Sequence, residues 1–347
     1  MCFRQLFPFK WRIIIMRIHE VYIGKEANTY HSKKQEVCNM TRYLPEGQRK
    51  LDYDWDGILK DSCAVQSLIR SEEILEAKAI SCDHNHNLCV ALGSGFGIMP
   101  REECAIGIKN GDVREIAIIS RVNRPVCFKV IDYTVSDSGV ITPILSRTRA
   151  QEETIVYLLA NKQCGDIINA TVTHLESFGA FVDIGCGVSS LIATANLSVS
   201  RIDHPRARVH VGQEIKAIIR EIDHQHRRVS LSQEELLGTW EENAAQFGIG
   251  CTVTGIVRSV EPYGVFIELA PNLSGLAEYS GHLDVNTQCA VYIKNIIPER
   301  MKIKLSVINA ANETAKESPL KYFITGGSLR RWTYSPAGCS KVIETVF

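Results

Sequence analysis

The stretch Glu176-Ser-Phe-Gly-Ala-Phe-Val-Asp-Ile-Gly185 recurs 85 positions later as Glu261-Pro-Tyr-Gly-Val-Phe-Ile-Glu-Leu-Ala270. Successive side chains of a β-strand point to opposite faces, so each copy divides into an apolar face and a second face. In both copies the second face carries an aromatic ring followed two positions later by a carboxylate. Because a ring that shares its face with a carboxylate is rarely core, we predict that Phe181 and Phe266 face solvent.

A second ring precedes each of these strands. Phe178 and Tyr263 stand directly before a glycine, which can bend or bulge a strand and bring the second ring beside the first. The carboxylates Asp183 and Glu268 are expected on the same solvent face. Paired exposed rings on a small sheet suit the stacking of nucleic-acid bases. The repeated motif therefore predicts two base-stacking surfaces.

The repetition extends beyond the aromatic motif. Residues 165–191 match residues 250–276 without a gap, and Arg228-Val-Ser-Leu-Ser232 corresponds to Lys302-Ile-Lys-Leu-Ser306. The second copy lacks the long loop around residues 200–210 of the first. Each copy has about five short β segments in roughly 60–70 residues, which is the size and pattern of a five-stranded OB-fold barrel.

An earlier and more divergent copy is predicted over residues 74–148. Leu88, Val90 and Leu92 alternate as the buried set of its second strand. The outward positions of that strand hold no aromatic residue, so this copy has no base-stacking surface. We interpret it as a structural barrel or a protein contact surface.

The sequence thus predicts an all-β dominated fold of tandem five-stranded OB-fold barrels joined by short α-helical connectors. Residues 1–39 show no clear helix or strand period, and Met40 reads as the natural start of the chain. The tail mixes aromatic residues with cations and is predicted either to contact RNA or to dock on the last barrel. The predicted divisions are a non-native or disordered extension (1–39), an N-terminal segment (40–73), a degenerate barrel (74–148), a helical connector (149–164), an RNA-binding barrel (165–232), a second connector (233–249), a shortened RNA-binding barrel (250–308) and a C-terminal tail (309–347).

Bulk properties exclude several classes of protein. The 347 residues include 39 basic and 39 acidic side chains, so any contact with nucleic acid must rely on local patches. Twelve cysteines occur without a Cys-x-x-Cys pair, which argues against a disulfide or zinc framework and predicts reduced thiols. No apolar run is long enough to predict a transmembrane span, and the expected location is the cytoplasm.

Four segments together resemble the RNA-binding repeat named for bacterial ribosomal protein S1. They are Gly165-Asp-Ile-Ile, Phe178-Gly-Ala-Phe-Val-Asp183, Val211-Gly-Gln-Glu-Ile215 and Val229-Ser-Leu-Ser232. The resemblance is strong over residues 165–308, weaker over the preceding copy, and absent from both ends. It implies an OB-fold, binding of single-stranded RNA, and a role on mRNA or the ribosome.

The family pattern contains stacking rings, a cation before the last strand, and an acidic residue that borders the same groove. A histidine common on the family's third strand is replaced here by Ala193, and by Glu278 in the last barrel. Part of the usual contact set is therefore missing. The matching positions are Phe178, Phe181, Tyr263 and Phe266 for the rings, Arg228 and Lys302 for the cation, and Asp223 for the acid.

Two loops of the middle barrel are rich in cations. Loops of an OB barrel border its binding face, so these side chains are expected to follow phosphates while the rings stack bases. The alternative is that they serve solubility alone. The long loop carries Arg201, His204, Arg206, Arg208 and His210, and the loop before the last strand carries His224, His226, Arg227 and Arg228.

No segment predicts catalysis or a bound cofactor or metal. The chain has neither a Walker lysine motif nor Gly-x-Ser-x-Gly, and Asp83-His-Asn-His-Asn87 reads as a tight turn. We therefore predict a non-catalytic protein without cofactor or membrane partner. Two functions remain open. One is single-stranded RNA binding in translation or RNA metabolism, with mRNA as ligand and the small ribosomal subunit as candidate partner. The other is an assembly scaffold, in ribosome association or RNA degradation, whose barrels mainly bind protein.

Overall fold

The computed structural model describes residues 42–49, 53–278, 283–314 and 320–347. The chain divides into two packing units, Met1–Leu44 and Pro45–Phe347, and the second unit contains the barrels. The prediction for residues 1–39 lies outside the described residues.

Seventeen strands are found among the described residues, five in each of three barrels and two in the tail. The strands of barrel 1 are β1 (Leu75–Cys82), β2 (Leu88–Leu92), β3 (Gly95–Met99), β4 (Pro125–Val135) and β5 (Ile141–Ser146). Those of barrel 2 are β6 (Ile167–Glu176), β7 (Gly179–Asp183), β8 (Ser189–Ala193), β9 (Glu214–Asp223) and β10 (Arg228–Ser232). Those of barrel 3 are β11 (Thr252–Glu261), β12 (Gly264–Ala270), β13 (Leu273–Ala277), β14 (Thr287–Ile297) and β15 (Lys302–Thr314), and the tail forms β16 (Arg331–Thr333) and β17 (Glu344–Val346).

Each barrel closes in the same way. The first three strands form an antiparallel meander, the fifth strand pairs parallel with the third, and the fourth joins the fifth to the first. This is the five-stranded Greek-key connectivity of the OB-fold. The structure therefore confirms the predicted all-β fold of tandem barrels.

Alternating burial along the strands explains why each barrel has its own core. In β7, Ala180 and Val182 point inward and are fully buried, while Phe181 between them is half-buried on the outer face. Strand β2 buries Leu88, Val90 and Leu92, as predicted. Three separate apolar clusters result, one inside each barrel.

Short helices lie before, within and between the barrels. Ser146 caps the helix that follows barrel 1 by accepting the Arg149 N–H at 3.0 Å, and Thr239 and Glu242 form a reciprocal capping box in the second connector. No helix in the described ranges is long and apolar enough to cross a membrane. The α-helices are α1 (Trp55–Ile58), α2 (Ser62–Ser71), α3 (Ile116–Ile119), α4 (Arg147–Asn161) and α5 (Trp240–Ala244), and the 3-10 helices are Arg101–Glu103, Thr194–Asn196, Pro205–Ala207, Glu234–Leu237 and Pro298–Arg300.

The contact between barrels 1 and 2 corrects the expectation that Asp183 faces solvent. Its side chain accepts the N–H groups of Gly185 at 2.8 Å and of Glu46 at 2.8 Å, and the residue is only 4% exposed. The Glu46 carboxylate in turn pairs with Arg147 at 2.6 Å. Burial, followed by the nearby Glu46 charge, raises the pKa of Asp183 to about 7. The outer end of β7 therefore contacts the segment before barrel 1, and Glu46 links it to Arg147 in the helix that follows that barrel.

The contact between barrels 2 and 3 corrects the same expectation for Glu268 and the predicted RNA contact of Arg208. The Arg208 guanidinium lies 2.6 Å from the Glu268 carboxylate, and Arg258 approaches the same carboxylate at 2.8 Å. Arg208 also donates to Ser198 Oγ at 2.8 Å and is only 6% exposed. Arg208 therefore joins two barrels and cannot follow a phosphate from this position.

The tail crosses from barrel 2 to barrel 3, and we call residues 320–347 the strap. Leu320 packs against the core of barrel 2, and the Leu329 N–H donates to the Gly165 carbonyl at 2.9 Å. Trp332 and Tyr334 are buried on the core of barrel 3. Of the two roles left open for the tail, the structure shows docking, and it extends over two barrels.

Candidate nucleic-acid interface

The two rings of barrel 2 lie side by side on its surface. Phe178 stands in the turn before β7 and is 57% exposed, and Phe181 points outward from the strand itself. Their ring centroids are 5.9 Å apart and the planes meet at 87°. This edge-to-face contact is a favourable arrangement for two aromatic side chains. We call the pair the platform of barrel 2.

Barrel 3 repeats this arrangement closely. Tyr263 is 66% exposed, Phe266 points outward from β12, and their centroids are 6.2 Å apart at an interplanar angle of 88°. We call this pair the platform of barrel 3. Both barrels have this geometry because the same pattern, an aromatic residue followed by glycine and a second aromatic residue, occurs at the start of the equivalent strand in each.

A glycine stands between the rings because neighbouring strands approach closely there. A β-carbon at Gly179 would lie 2.6 Å from the Ile192 carbonyl oxygen, which is closer than real contacts allow. A β-carbon at Gly264 would lie 2.7 Å from the Ala277 carbonyl oxygen, and the Gly264 φ angle is +147°. The glycine therefore lets the turn carry its ring up against the strand.

A histidine that the sequence analysis did not single out completes the surface of barrel 2. His174 on β6 is paired with Phe181 across the sheet, and the two ring centroids are 6.2 Å apart at 30°. Alternation from the buried residues Ala170 and Val172 would place residue 174 inside the barrel. A bulge between Val172 and His174 reverses the alternation and turns the imidazole outward. An aromatic residue just before the Phe-Gly motif was the available signal.

Most of the predicted cations lie at the surface of their barrels. Arg201, Arg206, Arg228 and Lys302 are exposed, and none of them forms an ion pair within the described part of the chain. His204 is half-buried and accepts the Arg206 N–H at its Nδ1 atom, at 3.1 Å.

Asp223 lies at the end of β9, directly opposite Arg228 of β10. Its carboxylate accepts the His226 N–H at 2.9 Å and lies 2.7 Å from the His226 Nδ1 atom. These hydrogen bonds hold the pKa of Asp223 below its usual range. Asp223 thus fixes the hairpin that carries Arg228.

The long loop of barrel 2 has two roles. One side faces barrel 3, where the Ser200 N–H donates to the Pro271 carbonyl at 3.2 Å and Ser200 Oγ lies 2.8 Å from Ser274 Oγ. The other side leaves Arg201 and Arg206 exposed. A depression of about 410 Å³ lies along the loop between Thr194 and Ile202.

Barrel 1 differs at the ring position on its second strand. Cys89 occupies the place of Phe181, since it is paired with β1 as Phe181 is paired with β6. In the preceding turn Asp83 accepts the backbone N–H groups of Asn85 and Asn87, both at 2.8 Å, which is the tight turn predicted for this segment. Across the described ranges, no cluster of three or more His, Cys, Asp or Glu side chains has the geometry of a metal site.

Closed five-stranded barrels with paired exposed rings define the class of OB-fold nucleic-acid-binding proteins. Comparison with known families narrows this class, because residues 162–234 match the S1 RNA binding domain. The small ribosomal subunit protein bS1 of Staphylococcus aureus (strain COL) is 34% identical over 313 residues, which cover 85% of this chain and 76% of that protein. The chain belongs to this family of S1-domain proteins.

Other similarities are more limited in extent. The bS1 protein of Rhodopseudomonas palustris is 28% identical over 195 residues, so the chain covers 33% of that relative. A multidomain Streptococcus pneumoniae protein with nucleic acid binding domains is 13% identical, with a TM-score of 0.23 over 71% of this chain and 76% of that one. GSP13 from Bacillus subtilis is 23% identical, with a TM-score of 0.20 over 20% and 54%. Membership of this family confirms the prediction of a non-catalytic RNA-binding protein.

Proposed function

We propose that this chain binds single-stranded RNA, with mRNA as its ligand, and acts in translation at the small ribosomal subunit. The observation that carries the proposal is the pair of exposed rings, present with nearly the same separation and angle in barrels 2 and 3. The bS1 relatives are proteins of the small ribosomal subunit, which supports the ribosomal setting.

Base stacking and phosphate contact have separate sources in this interface. Aromatic stacking contributes about 1–3 kcal/mol per base and tolerates any base, because every base has a flat face. The exposed cations supply the contact with phosphates, which makes affinity fall as the salt concentration rises.

Barrel 2 is the stronger of the two RNA sites in this proposal. Arg201, Arg206 and Arg228 are exposed on barrel 2, whereas the shortened barrel 3 lacks the loop of the first two, has Lys302 in place of Arg228 and exposes Glu278. The two barrels pack together through the Arg208–Glu268 pair, so RNA bound to one platform is held near the other. This proximity raises the effective concentration for the second contact.

Replacing both rings of barrel 2 tests the proposal. Phe178→Ala/Phe181→Ala should weaken binding of a labelled single-stranded RNA at least about fivefold, since stacking contributes 1 kcal/mol or more per base. Fluorescence anisotropy at low and high salt gives the affinity, and binding by the unchanged protein should decrease as salt increases.

The matched control is Tyr263→Ala/Phe266→Ala, which removes the platform of barrel 3 and should weaken binding less. Both rings of each pair lie at the surface, so circular dichroism and the thermal midpoint should stay close to those of the unchanged protein. Equal RNA affinity for all three proteins would show that neither platform binds RNA, and no binding by any of them would overturn the RNA proposal.

The alternative of a protein-binding scaffold is favoured by one feature of barrel 1. This barrel lacks a ring platform but exposes Ile80 to 45% and Phe96 to 46%. Cosedimentation with ribosomes that survives Phe178→Ala/Phe181→Ala and is lost on Phe96→Ser would identify protein contact as the main function.

A further inference from the structure

The proposed RNA site of barrel 2 contains a third ring. His174 is 62% exposed at its side chain and lies 6.2 Å from Phe181, measured between ring centroids. Its plane is tilted by only 30° from that of Phe181, whereas Phe178 stands at 87° to Phe181. Phe181 and His174 therefore present a nearly continuous flat surface, which we call the floor, and the ring of Phe178 stands nearly perpendicular beside it.

The backbone holds this floor in place. The bulge that turns His174 outward frees the Thr173 hydroxyl, which donates to the Phe181 carbonyl at 3.1 Å and ties the two strands together. The imidazole is oriented by Glu176, two residues further along β6, whose carboxylate lies 2.6 Å from His174 Nε2. The ring is thus aligned with Phe181 before any ligand arrives.

The other barrels lack a ring at this position. The same bulge occurs in β11 and turns Ser259 towards Phe266, and in β1 it turns Ser81 towards Cys89. Only one of the three equivalent positions, all within the described residues, therefore carries an aromatic side chain. The difference is confined to the barrel that also carries the exposed Arg201, Arg206 and Arg228.

A structural role for His174 has little support. An exposed residue on the outer face of a barrel strand contributes little to the core, and exposed pairs such as His174 and Glu176 contribute at most about 1 kcal/mol to stability. A flat imidazole beside a flat phenyl ring presents a second stacking surface for a neighbouring base.

We propose that His174 is an RNA-stacking residue that gives barrel 2 one more base position than barrel 3. The inference rests on the proposed function, since it assigns a further residue to the same RNA site. A single strand crossing the barrel stacks one base on Phe181 and the adjacent base on His174. The missing histidine of the third strand is thereby compensated by a histidine on the first.

Three substitutions at this position separate the contribution of a ring from that of a positive charge. His174→Phe has a ring and no charge, His174→Lys has a cation and no ring, and His174→Ala has neither. With a short labelled oligouridylate, we expect His174→Phe to bind within about twofold of the unchanged protein. His174→Ala and His174→Lys should each bind at least about fivefold more weakly.

Two results would overturn this inference. Equal affinity for His174→Ala and the unchanged protein would show that the residue does not touch RNA. Retention by His174→Lys with loss by His174→Phe would show a phosphate contact instead of stacking. Phenylalanine is well tolerated on exposed strands, and equal thermal midpoints would verify the fold of each variant.

A gain-of-function variant gives an independent test. In the Phe178→Ala/Phe181→Ala background, Ser259→His should strengthen the remaining RNA binding by barrel 3, because it builds the same floor beside Phe266. Unchanged affinity would contradict the inference. If the unchanged protein binds no RNA, the proposed function itself fails. If RNA binding is weakened by Phe178→Ala/Phe181→Ala but not by His174→Ala, the proposed function stands and only the role of His174 fails.

Discussion

Arg201 and Arg208 lie in the same loop of barrel 2 but in different environments. Arg201 is exposed, whereas Arg208 is buried between barrels 2 and 3 against Glu268 and Ser198. Removing one partner of a buried ion pair leaves the other charge without compensation, which is far more costly than losing a surface charge. Here Arg258 still contacts Glu268, so the loss is partly offset.

Arg208→Ala should therefore lower the free energy of unfolding by on the order of 3 kcal/mol, measured by urea denaturation. Arg201→Ala should change it by less than about 0.5 kcal/mol while weakening RNA binding and reducing its salt dependence. The reverse pattern, with Arg208 affecting RNA and Arg201 affecting stability, would show that the two roles are assigned wrongly.

The rings were predictable from single residues, and the buried carboxylates were not. Strand alternation correctly places Phe181 and Phe266 on the outer face, but it gives no information on what covers that face. Asp183 and Glu268 share the face with the rings and are nevertheless buried, because the segment before barrel 1 covers the first and the loop of barrel 2 covers the second. His174 was missed for another reason, since a bulge that interrupts alternation leaves no clear mark in one sequence.

Among the structural elements, the strap is the one that was hardest to predict from the sequence. Its strands β16 and β17 have three residues each, which is too short for alternation to be recognised. The aromatic residues of this segment nevertheless lie on one side of the chain and its polar residues on the other. Trp332 and Tyr334 point into barrel 3, and Arg331 and Thr333 point outward.

Trp332→Ala should lower the free energy of unfolding by about 3–5 kcal/mol, because it leaves a large cavity on the core of barrel 3. The neighbouring Arg331→Ala, at an exposed position of the same strand, should change it by less than about 0.5 kcal/mol. Urea denaturation followed by circular dichroism gives both values. Similar small effects for both variants would mean that the strap contributes little to stability.

At the scale of the whole molecule, the packing between repeats predicts how the free energy of unfolding depends on pH. Glu234 lies in the connector between barrels 2 and 3, where burial and then the neighbouring Glu235 charge raise its pKa to about 7. A glutamate in the unfolded chain titrates near about 4.3. Between these values the folded protein holds a proton that the unfolded chain has released. The free energy of unfolding should therefore fall as the pH rises through this interval, and Asp183 acts in the same direction.

Glu234→Gln should make this fall smaller, because glutamine cannot ionise. Urea denaturation at about pH 5 and about pH 8 measures the fall in each protein. Glu241→Gln, an exposed change in the following helix, is the control and should keep the full dependence. An identical pH dependence in Glu234→Gln and the unchanged protein would contradict the raised pKa.

The barrels were predictable because the sequence repeats, so that the strands assigned in one copy also locate the strands of the next. The matching of residues 165–191 with 250–276 gave two of the barrels, and their shared connectivity is what the structure shows. Contacts between barrels repeat in position but not in partner, since the equivalent residues Asp183 and Glu268 meet Glu46 and Arg208 respectively. The packing of one barrel on the next therefore had to come from the structure.

The strap also has a consequence for how the protein is made. Gly165, at the start of barrel 2, accepts a hydrogen bond from Leu329, and a ribosome adds Leu329 only after barrel 3 has been synthesised. Domains generally fold as units while the chain emerges, N-terminal ones first. Barrel 2 must therefore form its core while this edge is still uncovered. Docking of the strap on barrels 2 and 3 is therefore a late assembly step, and it completes the core of barrel 3 with Trp332 and Tyr334.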